Sequence, residues 1–100
     1  MRNDNFDWKA GLADLFGGTV NQQTLEEAAE IMVSIGDASY HIECLAMFEN
    51  GILAARRGDR SVIECINKSG YRVLTNEDAI KLLSDFHEIY LAEYKRTNLL

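Results

Sequence analysis

Hydrophobic side chains recur every three or four residues along most of this chain, and that spacing places them on one face of a helix. The first apolar stripe consists of Trp8, Leu12, Leu15 and Phe16. It predicts a helix from about Phe6 to Phe16, with Asp4 or Asn5 as its N-cap. Two glycines follow at 17–18, and they predict a left-handed C-terminal cap because glycine adopts that conformation at little cost.

Capping signals mark the second helix and the start of a third. Thr24 and Glu27 match the capping box, in which the hydroxyl and the carboxylate each accept a hydrogen bond from a backbone amide of the first turn. The apolar stripe that follows consists of Leu25, Ala28, Met32 and Ile35. Gly36 predicts the end of this helix, and Asp37 predicts the N-cap of the next one.

The longest apolar stripe lies near the C-terminus. It consists of Ile80, Leu83, Phe86, His87, Tyr90 and Tyr94. Thr75 and Asp78 repeat the capping pattern before it. Lys95 and Arg96 in its last turn suit the negative end of the helix dipole. The pattern predicts one long final helix.

Residues 38–57 carry two conflicting signals. Polar and apolar side chains alternate from Ser39 to Cys44, and Asn50-Gly51 is a strong hairpin dipeptide, so a pair of strands is one interpretation. The rest of the segment is rich in good helix formers and poor in β-branched residues. This composition favours a helix.

Residues 61–68 also allow two interpretations. Ser61 and Glu64 match a further capping box, and Gly70 is placed to end a short helix. Alternatively, residues 61–66 pair with 71–75 as a hairpin. Both faces of that first strand would mix polar and apolar side chains, so the helix is preferred.

Together these elements predict an all-α fold. It is a compact bundle of four to five short helices that forms one domain over residues 1–100, with a helical hairpin around 44–69. The alternative is an α+β fold, in which a small antiparallel sheet from 40–74 is flanked by helices.

One stretch of the chain resembles a known helical motif. The alanines at 54–55, the glycine at 58 and the aliphatic pair at 62–63 are arranged as in the helical hairpin of one ankyrin repeat. The resemblance covers residues 53–73, and no second repeat follows it. It implies an antiparallel helix pair in this stretch.

Charge is distributed unevenly along the sequence. The net charge is −6, and the first fifty residues hold nine acids and only two bases. The basic cluster of the second half consists of Arg56, Arg57, Arg60, Lys68 and Arg72. These basic side chains either form a solvated corner of the protein or bind a phosphate or an acidic partner. The acidic total argues against direct binding to nucleic acid, which needs a net basic face.

No motif of the sequence predicts catalysis or metal binding. There is no glycine-rich phosphate loop, no Cys-x-x-Cys and no His-Glu-x-x-His. His41, Cys44, Cys65 and His87 do not form the two close pairs of a zinc site. Both cysteines follow a glutamate, which disfavours a reactive thiolate. We therefore expect no catalytic residue, no bound metal and no cofactor.

The sequence has no export signal and no apolar run of the roughly 20 residues that span a bilayer. We expect a cytoplasmic protein, away from the membrane, whose two cysteines are buried free thiols.

The functional hypothesis therefore rests on the surface of the protein. It is a small module that acts by binding to and covering the surface of another protein. Inhibitors, immunity proteins and phage anti-defence proteins share this composition, by analogy of class alone. The predicted acidic face, directed at a basic partner surface, consists of Asp4, Asp7, Asp14, Glu26, Glu27 and Glu30. The predicted aromatic anchors are Trp8, Phe16 and Tyr40. The alternative is a homodimer whose predicted dimer face consists of Tyr90, Leu91 and Tyr94. A less favoured alternative is a nucleic-acid-associated protein that uses the basic cluster at 56–72.

Overall fold

The computed structural model describes residues 7–18, 20, 23–68 and 70–98, and these ranges contain five helices. The helices are α1 (Trp8–Gly17), α2 (Leu25–Ile35), α3 (Ala38–Arg56), α4 (Ser61–Asn67) and α5 (Asn76–Asn98). The prediction of an all-α bundle is confirmed. The alternative sheet is wrong, because the described residues between 40 and 74 form α3, α4 and turns, without a strand.

Polar side chains begin three of the helices as the sequence predicts. Thr24 Oγ1 accepts from the Glu27 amide at 3.0 Å, and Glu27 Oε1 accepts from the Thr24 amide at 2.9 Å, which completes the capping box of α2. Asp37 Oδ1 accepts from the Tyr40 amide at 2.9 Å at the start of α3. Thr75 Oγ1 accepts from the Asp78 amide at 3.0 Å at the start of α5. These acceptors satisfy amides that have no partner within their own helix.

The cap of α1 differs from the prediction. Asp7 occupies the N-cap, because its Oδ1 accepts from the amides of Lys9 and Ala10, both at 3.1 Å. The helix therefore begins at Trp8 instead of Phe6, and the expected caps Asp4 and Asn5 lie outside the described residues.

Two further local predictions are wrong. Gly18 ends α1 with φ at −111°, so the expected left-handed cap is not formed there. Ser61 is the first residue of α4 instead of its cap, and Arg60, which holds the N-cap position, forms no cap hydrogen bond through its side chain. Asp59 Oδ1 accepts from the Ser61 amide at 2.9 Å, and this bond replaces the predicted pairing of Ser61 with Glu64.

Hydrogen bonds of two asparagines hold the connection between α4 and α5. The Asn67 side chain donates to the Val73 carbonyl at 2.7 Å and accepts from the Val73 amide at 2.8 Å. Gly70 allows the intervening turn because its φ is +112°, a left-handed value that suits glycine. Asn76 Nδ2 then donates to the Ala55 carbonyl at 3.1 Å, which fixes the start of α5 to the end of α3.

Helix α3 lies antiparallel to α5, and aromatic rings fill the contact between them. His41, early in α3, stacks on Tyr94, late in α5, with ring centroids 3.7 Å apart. In the middle of the contact, Phe48 meets Phe86 edge-on at 5.1 Å and lies within 5.8 Å of Tyr90. Edge-to-face pairs of this kind stabilise a core beyond the area that they bury.

The remaining helices pack around this pair. Helix α2 contacts α5, α1 contacts α3 and α4, and α4 also contacts α5. The hairpin expected around 44–69 consists of α3 and α4 in sequence, although α4 packs mainly against α1. Gly51 permits the close approach of three helices, since a Cβ there would lie 2.9 Å from Leu83 and 3.2 Å from Leu12.

Replacing Phe48 should show how much the contact between α3 and α5 stabilises the fold. Phe48 is fully buried, so Phe48→Ala should leave a cavity and lower the free energy of unfolding by about 3–5 kcal/mol. Leu53→Ala is the matched control on the same helix, because 51% of Leu53 is exposed, and its cost should stay below about 1 kcal/mol. Urea unfolding measures both values, and equal losses would contradict the assignment of Phe48 to the centre of the core.

Candidate protein-binding surface

A groove between α1 and α3 brings together an acid and an aromatic anchor that the sequence predicts. Its volume is about 220 Å³, and it is lined by Gly11, Asp14, Leu15, Tyr40, Glu43 and Met47. Asp14 comes from the predicted acidic face and Tyr40 from the predicted anchors. The groove residues include two carboxylates and no basic side chain.

The local structure of α3 explains how these side chains converge. Glu43 follows Tyr40 by three residues and Met47 follows Glu43 by four, so all three lie on the same side of the helix. The Asp37 side chain accepts a hydrogen bond from the Tyr40 amide, and this bond fixes the first turn of α3, where Tyr40 lies. Across the groove, Gly11 and Asp14 are three residues apart on α1, and glycine leaves the space open because it has no side chain.

Tyr40 remains protonated at the edge of this groove. Burial raises the pKa of its phenol, and the charges of Cys44 and Glu43 raise it further. The ring is half-buried, so one part of it packs against the protein while another part faces the groove. The ring offers a flat apolar surface in a groove that two carboxylates also line.

A small polar cluster lies behind Tyr40, between α3 and α5. The Cys44 thiol is fully buried, and burial raises its pKa to about 11 although hydrogen bonds with Tyr40 and Tyr90 act in the opposite direction. His41 Nδ1 lies 2.7 Å from the Tyr90 hydroxyl. Burial lowers the pKa of His41, so the neutral ring is favoured in the folded protein.

The other residues of the predicted acidic face divide into two kinds. Asp7 and Glu27 cap α1 and α2, so their carboxylates are occupied by backbone amides. Glu26 and Glu30 line a second groove, of about 380 Å³, between α2 and α5. Asp4 lies outside the described residues. Three of the six predicted acids therefore line grooves, Asp14 between α1 and α3, and Glu26 and Glu30 between α2 and α5.

The second groove has a mixed charge. Glu93 and Arg96 of α5 line it together with Glu26 and Glu30. Arg96 donates to both carboxylate oxygens of Glu93, and the nearby charge of Glu30 also contributes to the raised pKa of Arg96. A basic partner would have to compete with Arg96 at this position.

The predicted aromatic anchors differ in accessibility. Phe16 is only 2% exposed and meets Phe86 and Tyr71 edge-on in the core. It is therefore a core residue, and its prediction as a surface anchor is wrong. Trp8 is half-buried, and Lys9 Nζ lies 5.7 Å from the centre of its ring. Tyr40 is half-buried and lines the α1–α3 groove, so it remains accessible as a predicted anchor.

The predicted dimer face is largely covered within one chain. Tyr90 is 1% exposed and belongs to the core, which corrects its assignment to a surface. Tyr94 is half-buried beneath His41, and Leu91 is half-buried as well. Packing of α3 on α5 thus covers much of the final apolar stripe.

The predicted basic cluster does not converge on one point. Arg56 lines a groove between α3 and α5, whereas Lys68 lines another groove between α1 and α4. Arg60 and Lys68 flank α4 at its two ends, about 12 Å apart along the helix axis. Arg57 and Arg72 are exposed in the adjoining turns.

Within the part of the chain that the structure describes, no group of three or more His, Cys, Asp or Glu side chains could hold a metal ion. In the same residues, no helix is both long enough and apolar enough to cross a membrane.

Comparisons of this chain with protein-family models, with curated proteins and with solved structures found no match.

Three residues of the α1–α3 groove were missed by the sequence analysis. Gly11, Glu43 and Met47 carry no motif of their own. Glu43 is three residues from Tyr40, and residues with that spacing lie on the same side of a helix. A helix over residues 38–56 therefore predicts that Glu43 lies beside Tyr40. Gly11 lies on another helix, and no spacing rule predicts which face of α3 it meets.

The two cysteines should differ sharply in reactivity. A thiol with a pKa of about 11 is ionised to only about one part in a thousand at pH 8, and Cys44 is also fully buried. Cys65 is half-buried, and its pKa is raised by burial as well. Alkylation of the folded protein by iodoacetamide, followed by mass spectrometry, should modify Cys65 first and Cys44 only after unfolding. Faster modification of Cys44 would contradict its placement in the core.

His41 should titrate below its ordinary pKa of 6.5 because burial disfavours its charged form. The unfolded chain then binds more protons than the folded one at mildly acidic pH, so stability falls as the pH drops below about 6.5. An NMR titration of the His41 ring measures the pKa directly, with the urea-unfolded chain as the control. A folded-state pKa at or above the unfolded value would contradict the buried stacking of His41.

Proposed function

We propose that this chain is a protein-binding module, of the kind found among small inhibitors and adaptors. Its α1–α3 groove accepts a basic side chain from the surface of the partner. The observation that supports this proposal is that Asp14 and Glu43 line one groove together with the half-buried ring of Tyr40.

The chemistry of the groove suits an arginine or lysine of a partner. Carboxylates bind these side chains through charge-assisted hydrogen bonds. A tyrosine ring within reach of the cation adds a cation–π interaction, and it orders few rotatable bonds on binding. Neither Asp14 nor Glu43 forms an ion pair with another described residue, so an incoming cation would displace no ion-pair partner among those residues.

Charge elsewhere on the chain would assist the encounter. The net charge of −6 attracts a basic protein at long range, which raises the association rate at low salt. Affinity would come from the groove itself, because exposed and well-separated charges contribute little. The α2–α5 groove is less suited to this role, since Arg96 lines it and binds Glu93 there, so its positive charge opposes an incoming cation.

The groove can be tested with a short peptide that contains two adjacent arginines. Addition of the peptide should shift the NMR signals of Asp14, Tyr40 and Glu43. The isosteric double variant Asp14→Asn, Glu43→Gln should weaken binding about tenfold, because it removes both charges and leaves the shape of the groove intact.

The control variant is Glu26→Gln, Glu30→Gln, which removes the same charge from the α2–α5 groove. It should retain most of the affinity for the peptide. Equal losses in the two double variants would show that only the total charge matters, and the proposal for the α1–α3 groove would then be rejected. Signal shifts spread evenly over all exposed acids would lead to the same conclusion.

A further inference from the structure

The outer face of α3 carries apolar side chains beside unpaired charges. It borders a groove of about 490 Å³ between α3 and α5, lined by Glu49, Ile52, Leu53, Arg56, Ser84, His87 and Glu88. Leu53 is 51% exposed at this position, and Ile52 beside it is half-buried. This is a different side of α3 from the one that holds Tyr40, because the helix turns by 100° per residue.

The charges on this face are arranged symmetrically about its apolar centre. Glu49 lies three residues before Ile52, and Arg56 lies three residues after Leu53. Seven residues separate the two charges, which is about 10 Å along a helix and too far for them to pair with each other. Among the residues that the structure describes, neither side chain has an ion-pair partner.

We propose that a second copy of this chain docks on this face, with the two α3 helices antiparallel about a two-fold axis between Ile52 and Leu53. The symmetry places Glu49 of each copy opposite Arg56 of the other, so one contact is formed twice. In the same register Ile52 of each copy lies opposite Leu53 of the other at the axis, where both side chains lose their remaining exposure to water.

Charge complementarity is the reason for choosing a second copy as the occupant. An antiparallel pair of identical helices matches two opposite charges when the axis lies midway between them. The midpoint between Glu49 and Arg56 falls between Ile52 and Leu53, so the register that pairs the charges also brings the apolar side chains together. Glu88 on the α5 side of the groove adds a second carboxylate near the incoming arginine. The contact is small, so the dimer is weak and depends on concentration.

The first measurement is sedimentation velocity of the full chain between about 10 µM and about 1 mM, a range that covers weak association. The mass should rise from monomer towards dimer over this range. Leu53→Ser should weaken the dimer at least tenfold, since it removes apolar contact at the axis. Ile35→Ser is the matched control, because Ile35 is 70% exposed on α2 and lies outside the groove, and it should leave association unchanged.

Charge exchange tests the pairing itself. Glu49→Arg places arginine opposite Arg56, and Arg56→Glu places glutamate opposite Glu49, so each variant alone should stay monomeric. An equimolar mixture of the two should associate, because every cross-pair is then opposite in charge. The double variant Glu49→Arg, Arg56→Glu should also dimerise.

Circular dichroism of each variant verifies that α3 is still folded, which is expected because all substituted side chains are exposed. A wild-type chain that is monomeric at every concentration would overturn the proposal. A dimer that Leu53→Ser does not weaken would place the interface elsewhere and would overturn it too. Failure of the mixed single variants to associate, when the wild type does, would reject the antiparallel register.

Discussion

The contact between α3 and α5 is the interaction on which the rest of this structure depends. Phe48, Phe86 and Tyr90 fill it with aromatic side chains, and Gly51 lets Leu83 approach the α3 backbone. Both grooves that flank α3 take their shape from this contact, because it fixes the rotation of α3 about its own axis. Buried aromatic packing tolerates few alternative arrangements, so the positions of the surface side chains on α3 follow from it.

Local chemistry allowed the helices to be predicted, since each signal acts within a few residues. The capping box at Thr24 and the cap at Asp37 are confirmed because a helix start needs only an acceptor within one turn. The same reasoning failed at Ser61, where Asp59 supplied an acceptor two residues earlier.

Residues 38–56 were ambiguous because the alternation of polar and apolar side chains at their start resembled a strand. Burial of Cys44, Met47 and Phe48 on one side of a helix decided between the interpretations.

The candidate sites were harder to predict because they depend on which helices become neighbours. Asp14 and Tyr40 are 26 residues apart, and only the packing of α1 on α3 brings them into one groove. Composition also cannot separate acids that cap helices from acids that face a partner. Asp7 and Glu27 belong to the first kind, although the sequence analysis placed them in one acidic face with Glu26. Tyr90 and Phe16 were predicted to lie at binding surfaces, but both are buried. The prediction failed because the spacing of an apolar stripe does not show how much of that stripe another helix covers.

The two proposed surfaces occupy different sides of α3, and this separation has a functional consequence. Tyr40, Glu43 and Met47 face α1, whereas Glu49, Leu53 and Arg56 lie on the face towards the α3–α5 groove. A second copy docked at the latter would leave the α1–α3 groove of each chain open. A dimer would then present two identical acidic grooves in a fixed relation, and a partner with two suitably spaced basic sites would bind both. The second contact would be intramolecular, so weak binding at each groove would become strong binding of the pair. Modest grooves on a chain of this size are therefore sufficient for a binding function if dimerisation supplies the second copy.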